Sequence, residues 1–270
     1  MSATLLICHR RARSLSAGDF LGPWAEERAA LVARHQAALG HPDYHQIRRL
    51  SRLSIVYNAV RLSRSWPLTA LISLLRGRRP PSLIGNRDER WDLVEQLQWP
   101  EPAQREAALA SEPGGAALQA LAQHADAATR HHALLSTERV DTMPLAPGET
   151  APDAVALFCL RAKPPMEREH MLADWIGRHG PLVASLQGAL GYAAYAQLAV
   201  RGNDDTPTAF DGVALLAYPG LGTMRLGLIR PRTQLANLRL VWDETAFLDT
   251  GRSALIIGRV ARRLSGAPPG

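Results

Sequence analysis

From residue 154 to 264 the apolar positions change their spacing in a regular way. Residues 154–161 form a short, nearly continuous apolar run that reads as a strand. Pro164-Pro165 breaks it. Met171, Trp175, Leu182, Leu186 and Leu190 then recur at helical spacing, which predicts an amphipathic helix over 167–190. Gly191 follows, a residue suited to the left-handed geometry that ends helices. Tyr192 to Val200 and Phe210 to Tyr218 read as strands around the turn-rich stretch 201–207. A second helix is expected within 221–247, interrupted near Pro231, and a last strand over 253–260. The order is β-α-β-β-α-β, a split βαβ unit.

The same pattern occurs earlier. At an offset of 151, residues 3–46 align without a gap to residues 154–197, and 15 of the 44 positions are identical. Among them are Cys8 and Cys159, Arg10 and Arg161, Trp24 and Trp175, Tyr44 and Tyr195, and Gln46 and Gln197. The halves also close alike: Trp91-Asp-Leu-Val-Glu resembles Phe210-Asp-Gly-Val-Ala. The chain is therefore read as a tandem duplication. The first unit spans 1–140, a proline-rich linker spans 141–153, the second unit spans 154–264 and a tail spans 265–270. Each unit would cover one sheet face with helices and leave the other apolar, so the two units are expected to pair.

Residues 51–88 have no counterpart in the second half. Ile47, Leu50, Leu53, Tyr57 and Val60 mark a helical stripe, and the segment from Arg48 to Arg79 carries eight arginines and no acid. A basic, apolar insertion of this kind suits a lid over a cavity, an oligomer contact, or peripheral contact with an anionic membrane through residues 47–79.

Composition narrows the function classes. With 46% hydrophobic residues over 270, the chain can build a sizeable core. The formal charge of +6 does not point to nucleic acid. Only one of 31 basic residues is lysine, and no nucleic-acid reading motif accompanies the arginines. Two cysteines exclude a disulfide framework. No apolar stretch is long enough to span a bilayer, and the N-terminal run reads as a strand, so a cytoplasmic location is expected. Phosphate-loop, dinucleotide and nucleophile-elbow motifs are absent, and no metal or cofactor is expected.

Several motifs resemble the EthD-domain family: Met171-x3-Trp175-x3-His179-x-Pro181-Leu182-Val183, Gly191-x3-Tyr195-x-Gln197, Phe210-Asp-Gly-Val-Ala and Asp243-Glu244-x2-Phe247-Leu248-Asp249. Phe20-x3-Trp24 repeats the first of these in the opening half. The resemblance covers both halves except residues 51–88. It implies an α+β fold of two tandem ferredoxin-like units forming an intrachain dimeric α+β barrel, with the ligand cavity between paired sheets. It also implies small hydrophobic or aromatic substrates.

His179, on the apolar stripe of its helix, is the candidate proton carrier. The first half has Arg28 there, which suggests one site per chain. Tyr195 and Gln197, with Tyr44 and Gln46, share a strand face by period two and are candidates to orient a carbonyl; His45 falls on the opposite face. Asp211 reads as a rim acid or as a turn carboxylate, as does Asp92. Arg10 and Arg161 read as anion contacts or as strand ends, and Trp175 as a substrate contact. The cysteines read as small buried hydrophobes, and His124, His131 and His132 lack the companions of a metal site. The expected function is cofactor-independent acid–base chemistry on an aromatic or polyketide-like molecule: cyclisation, decarboxylation, dehydration or isomerisation. The alternatives are a non-catalytic carrier of a hydrophobic ligand, a haem-binding barrel or cofactor-free monooxygenase, and a membrane-associated scaffold.

Overall fold

The computed structural model describes residues 2–50, 91–146, 151–201 and 210–266. The insertion expected over 51–88 lies outside them. The chain divides into two compact units. Unit 1 comprises the described residues of 1–49, 91–139 and 259–270, and unit 2 those of 50–90 and 140–258.

Unit 1 opens with β1 (Ser2–Arg11), followed by helix α1 (Ala25–His35), β2 (Asp43–Arg49), β3 (Leu93–Trp99), helices α2 (Pro102–Ala110) and α3 (Glu112–Asp126), and β4 (Thr129–Met143). Its strands lie in the order β4-β1-β3-β2, each pair antiparallel. Leu5, Ile7, Tyr44, Leu97 and Trp99 point from the sheet into a core closed by Ala29 and Val32 of α1 and by Ala117 and Leu121 of α3. Ser111 caps α3 by accepting from the Gly114 N–H at 3.1 Å.

Unit 2 repeats the order with β5 (Ala154–Leu160), helix segments α4 (Arg168–Asp174), α5 (Gly180–Ser185) and α6 (Gln187–Leu190), β6 (Ala194–Val200), β7 (Gly212–Tyr218), α7 (Leu221–Ile229), α8 (Pro231–Glu244) and β8 (Ala254–Leu264). Its strand order is β8-β5-β7-β6. Gly191 ends α6 in the left-handed region, at φ 75°, and Pro231 opens α8 where its missing N–H costs nothing.

Two boundaries differ from the sequence reading. β4 continues to Met143, whose side chain is buried, so residues 141–143 end a strand instead of starting a linker. Ser265 and Gly266, read as tail, are tied down. Gln36 Nε2 donates to the Ser265 carbonyl at 2.7 Å, and the Gly266 N–H donates to Asp43 Oδ1 at 2.7 Å.

The long helix expected over 167–190 is broken by a π-helical turn at Trp175–His179. Pro181 has no N–H for the α-helical ladder, and the backbone widens ahead of it. The Gly180 N–H reaches back five residues to the Trp175 carbonyl. That carbonyl also accepts from Gln197 Nε2 at 2.7 Å, and Gln197 Oε1 accepts from Thr142 Oγ1 at 2.7 Å. Gln197 thus ties the widened turn to β6. Unit 1 has an analogous tie: a π-helical turn at Phe20–Trp24 contains Pro23, and Gln46 Nε2 donates to the Ala25 carbonyl at 2.8 Å.

Gly180 is required by this tie. A Cβ there would stand 2.3 Å from Gln197 Oε1. Alanine normally stabilises a helix over glycine by about 1 kcal/mol. Gly180→Ala is expected to reverse that sign and destabilise by ~1–3 kcal/mol, because the doubly bonded Gln197 cannot move aside cheaply. Denaturant unfolding of the variant checks it.

Candidate active site

The helix-covered face of the unit 2 sheet encloses a cavity of about 30 Å³, room for about one or two waters. Leu160, Ala214 and Leu216 line it from the sheet, and Leu240 and Leu248 from the other side. Into this apolar space come Trp175, His179, Tyr195 and Glu244. The resemblance had implied a cavity between paired sheets. This one lies between sheet and helices, because period two turns Tyr195, Ala214 and Leu216 towards α5 and α8.

His179 ends the π-helical turn and is nearly fully buried. Its Nδ1 lies 2.9 Å from Asp243 Oδ2, and its ring meets Phe247 edge-on at 5.3 Å. A carboxylate can only accept, so Nδ1 carries the proton in this pair. In the neutral form of the ring, Nε2 is then the nitrogen that carries the lone pair. Arg178 donates to Asp243 Oδ1. Three successive chemical groups are therefore fixed by α8 and the π-helical turn: guanidinium, carboxylate, imidazole.

Tyr195 is buried, and burial pushes its phenol well above the usual value. The neighbouring Trp175 and Gln197 side chains act the other way, while the charge of Glu244 adds to the rise. The group is a neutral phenol at any physiological pH, and so a donor. Its hydroxyl makes no hydrogen bond of normal geometry among the described residues. Glu244, 6% exposed, faces the same cavity.

The other predicted site residues lie elsewhere. Gln197 shares the Tyr195 face but is committed to the Trp175 carbonyl and Thr142. Asp211 Oδ2 accepts from the Ala162 N–H at 2.8 Å, and Arg161 and Arg168 each lie 3.8 Å from Oδ1. Its counterpart Asp92 accepts from the Arg11 N–H at 3.0 Å and from Arg49 at 2.8 Å. Both aspartates act as turn carboxylates at the edge of their sheets. Arg161 and Arg10 do not line the cavity. Cys8 and Cys159 are buried and are not joined in a disulfide. His124 stacks on Trp24 at 5.3 Å. No group of three or more metal-ligating side chains occurs among the described residues.

Unit 1 holds a different arrangement at the equivalent positions. His9, Arg28, Tyr44 and Glu95 stand where unit 2 has Leu160, His179, Tyr195 and Ala214. Glu95 is fully buried and accepts three hydrogen bonds. His9 Nε2 lies 2.6 Å and Arg28 Nε 2.8 Å from Oε2, and the Tyr44 hydroxyl donates to Oε1 at 2.7 Å. Gln46 Nε2 donates to the Tyr44 oxygen at 3.2 Å, and Arg28 also donates to the Leu121 carbonyl. Burial alone would push the Glu95 carboxyl up. Arg28, then His9 and Tyr44, outweigh burial and hold it at about 2. The void beside Arg28 is only about 10 Å³. Tyr44 and Gln46, expected as substrate contacts, are therefore parts of a buried hydrogen-bonded network around Glu95. His45, on the opposite face, is held at about 4, first by burial and then by Arg263.

Asp243 and Glu244 stand in the sequence only as part of a motif, and neither they nor Glu95 and His9 are among the site residues that spacing predicts. The available signal was charge at core positions: Arg28 on a helix stripe and Glu95 on a buried strand of the same unit, opposite in sign.

No family model matches the sequence, and no curated protein matches it. The fold does match solved structures. An anthrone oxidase-like protein aligns with a TM-score of 0.53 at 11% identity, covering 99% of this chain and 94% of its own. A candidate monooxygenase from Fusobacterium nucleatum aligns at 0.50 and 7% identity, covering 98% and 94%. At these identities the likeness is one of fold, mixed α+β with antiparallel strands. Among the described residues, no helix is long and apolar enough to cross a membrane.

Glu95→Gln leaves Arg28 buried beside a neutral group, and is expected to destabilise by ~3–5 kcal/mol at pH 7. The Glu95 carboxyl is lowered on folding from 4.5 to about 2, so its contribution is complete above about 4.5. It is lost as pH falls from there through about 2. Denaturant titrations across that window should show the wild type converging on the variant.

Proposed function

We propose that unit 2 is an acid–base site for a small apolar molecule, within a chain of two EthD-like, ferredoxin-like units that form a dimeric-type α+β barrel. One observation carries this reading. Equivalent positions are plugged by a neutralised polar network in unit 1, whereas in unit 2 they surround an apolar void with a His179–Asp243 pair, a neutral Tyr195 and Glu244 at its wall.

The chemistry follows from the groups. His179 Nε2 takes a proton from carbon next to a substrate carbonyl, and the electron pair of the broken C–H bond moves onto the carbonyl oxygen. The Tyr195 O–H donates to that oxygen as charge develops. Asp243 holds the ring in its tautomer and stabilises the imidazolium. Returning the proton to another atom gives isomerisation, and expelling a β-hydroxyl that takes the proton from the His179 imidazolium as water gives dehydration. Decarboxylation of a β-keto acid replaces the C–H cleavage: the C–C pair released with carbon dioxide moves onto the same carbonyl oxygen, and a proton is then delivered to the α-carbon. Attack of the enolate on a second carbonyl gives cyclisation. In the closed form described, a ring-sized substrate requires the leucines of the wall to change rotamer. The same space gives no room for a porphyrin, so no haem step is derived. A second reading, oxygenation of an electron-rich aromatic ring by dioxygen, is favoured by the fold shared with the anthrone oxidase-like protein. It starts from the same deprotonation.

The test is a panel of aromatic ketones and polyketide-like compounds, followed by mass and by oxygen uptake. His179→Ala is expected to cut turnover by ~10²-fold or more, Asp243→Asn by less, and Tyr44→Phe in unit 1 not at all. Oxygen uptake would select the second reading. Compounds that bind and return unchanged would show a carrier instead of an enzyme, and full activity in a folded His179→Ala variant would remove the base assignment.

A further inference from the structure

Unit 2 also carries an open groove of about 420 Å³ lined by Arg178, Leu182, Ser185, Arg239, Trp242 and Asp243. Its volume falls in the range of small-molecule sites. It is separate from the enclosed cavity, and Asp243 stands between them. Oδ2 of that carboxylate faces His179, and Oδ1 accepts from Arg178.

The charges in the groove do not cancel. Asp243 is already shared between His179 and Arg178. Arg178 is half-exposed and also reaches Asp174 at 3.6 Å. Arg239 is exposed and has no ion-pair or hydrogen-bond partner among the described residues. The groove therefore offers two guanidinium groups against one committed carboxylate. The rest of its lining is Ser185, whose hydroxyl donates to the Leu182 carbonyl, and the apolar Trp242 and Leu182, which are only half-buried. Guanidinium groups match carboxylates in a planar, two-bonded geometry. An indole face beside them suits a flat apolar body.

We propose that this groove binds a small aromatic carboxylate, with its carboxylate on Arg239 and Arg178 and its ring against Trp242 and Leu182. The site goes beyond the acid–base reading and does not depend on it, since binding is measured without turnover. Bound anion would compete with Asp243 for Arg178, which places the groove one side chain away from the His179 ring.

Calorimetric titration with 2-naphthoate tests the assignment, with 2-naphthol as the shape-only comparison and inorganic phosphate as the charge-only one. Naphthoate is expected to bind saturably, about tenfold or more weaker in Arg239→Gln, and weaker in Trp242→Leu. Naphthol should bind much less tightly for want of the anion, and phosphate for want of the ring. Arg239 is exposed, so its variant should unfold at the wild-type midpoint. Naphthoate affinity unchanged in a folded Arg239→Gln variant, no saturable binding by the wild type, or naphthol binding as tightly as naphthoate would each overturn the proposal.

Discussion

Glu95 is a carboxylate without access to water, and such a group persists only where donors replace the lost hydration. His9, Arg28 and Tyr44 supply those donors from three different elements of unit 1. Removing any one leaves another buried polar group unsatisfied, so the network fixes the spacing of β1, β2 and β3 against α1. It also fills the space that the fold would otherwise leave under that helix. Unit 1 is stable at this point because it is full, and being full it has no room for a ligand.

Unit 2 is built on the same strand order but lacks the carboxylate. Ala214 stands in the place of Glu95 and Leu160 in that of His9, and the space that the glutamate side chain would take up remains part of a void. His179 replaces Arg28 and takes its carboxylate from the outside, from Asp243 on α8, instead of from the sheet. The ring is thereby oriented from behind and faces an apolar space. The two glutamines keep one role in both units, tying a widened helical turn to the second strand. The scaffold contact is thus the same in both units, while the polar groups beside it differ.

Much of the fold is legible in the sequence because period and punctuation carry it. The strands of unit 2, the break at Pro231 and the left-handed Gly191 fall where the apolar pattern puts them. The π-helical turn is not legible, since Pro181 signals a helix start as readily as a widening. His179 and Tyr195 are found by spacing, and the cavity does join them. Gln197 and Gln46 are not separable from site residues by spacing, because a buried amide that binds backbone and one that binds substrate share the same strand face. Asp243 and Glu95 escape because their partners are 64 and 67 residues away in the chain. Only packing shows that these charges meet.

The claim that the chain holds one asymmetric site is tested most directly by a crystal structure with a small aromatic ketone such as acetophenone bound. The account predicts density in unit 2, with the ketone oxygen within hydrogen-bond distance of Tyr195 and the ring among Leu216, Leu240 and Leu248, and an unchanged Glu95 network in unit 1. Ketone density beside Glu95 and Arg28, or equal occupancy in both units, would contradict it.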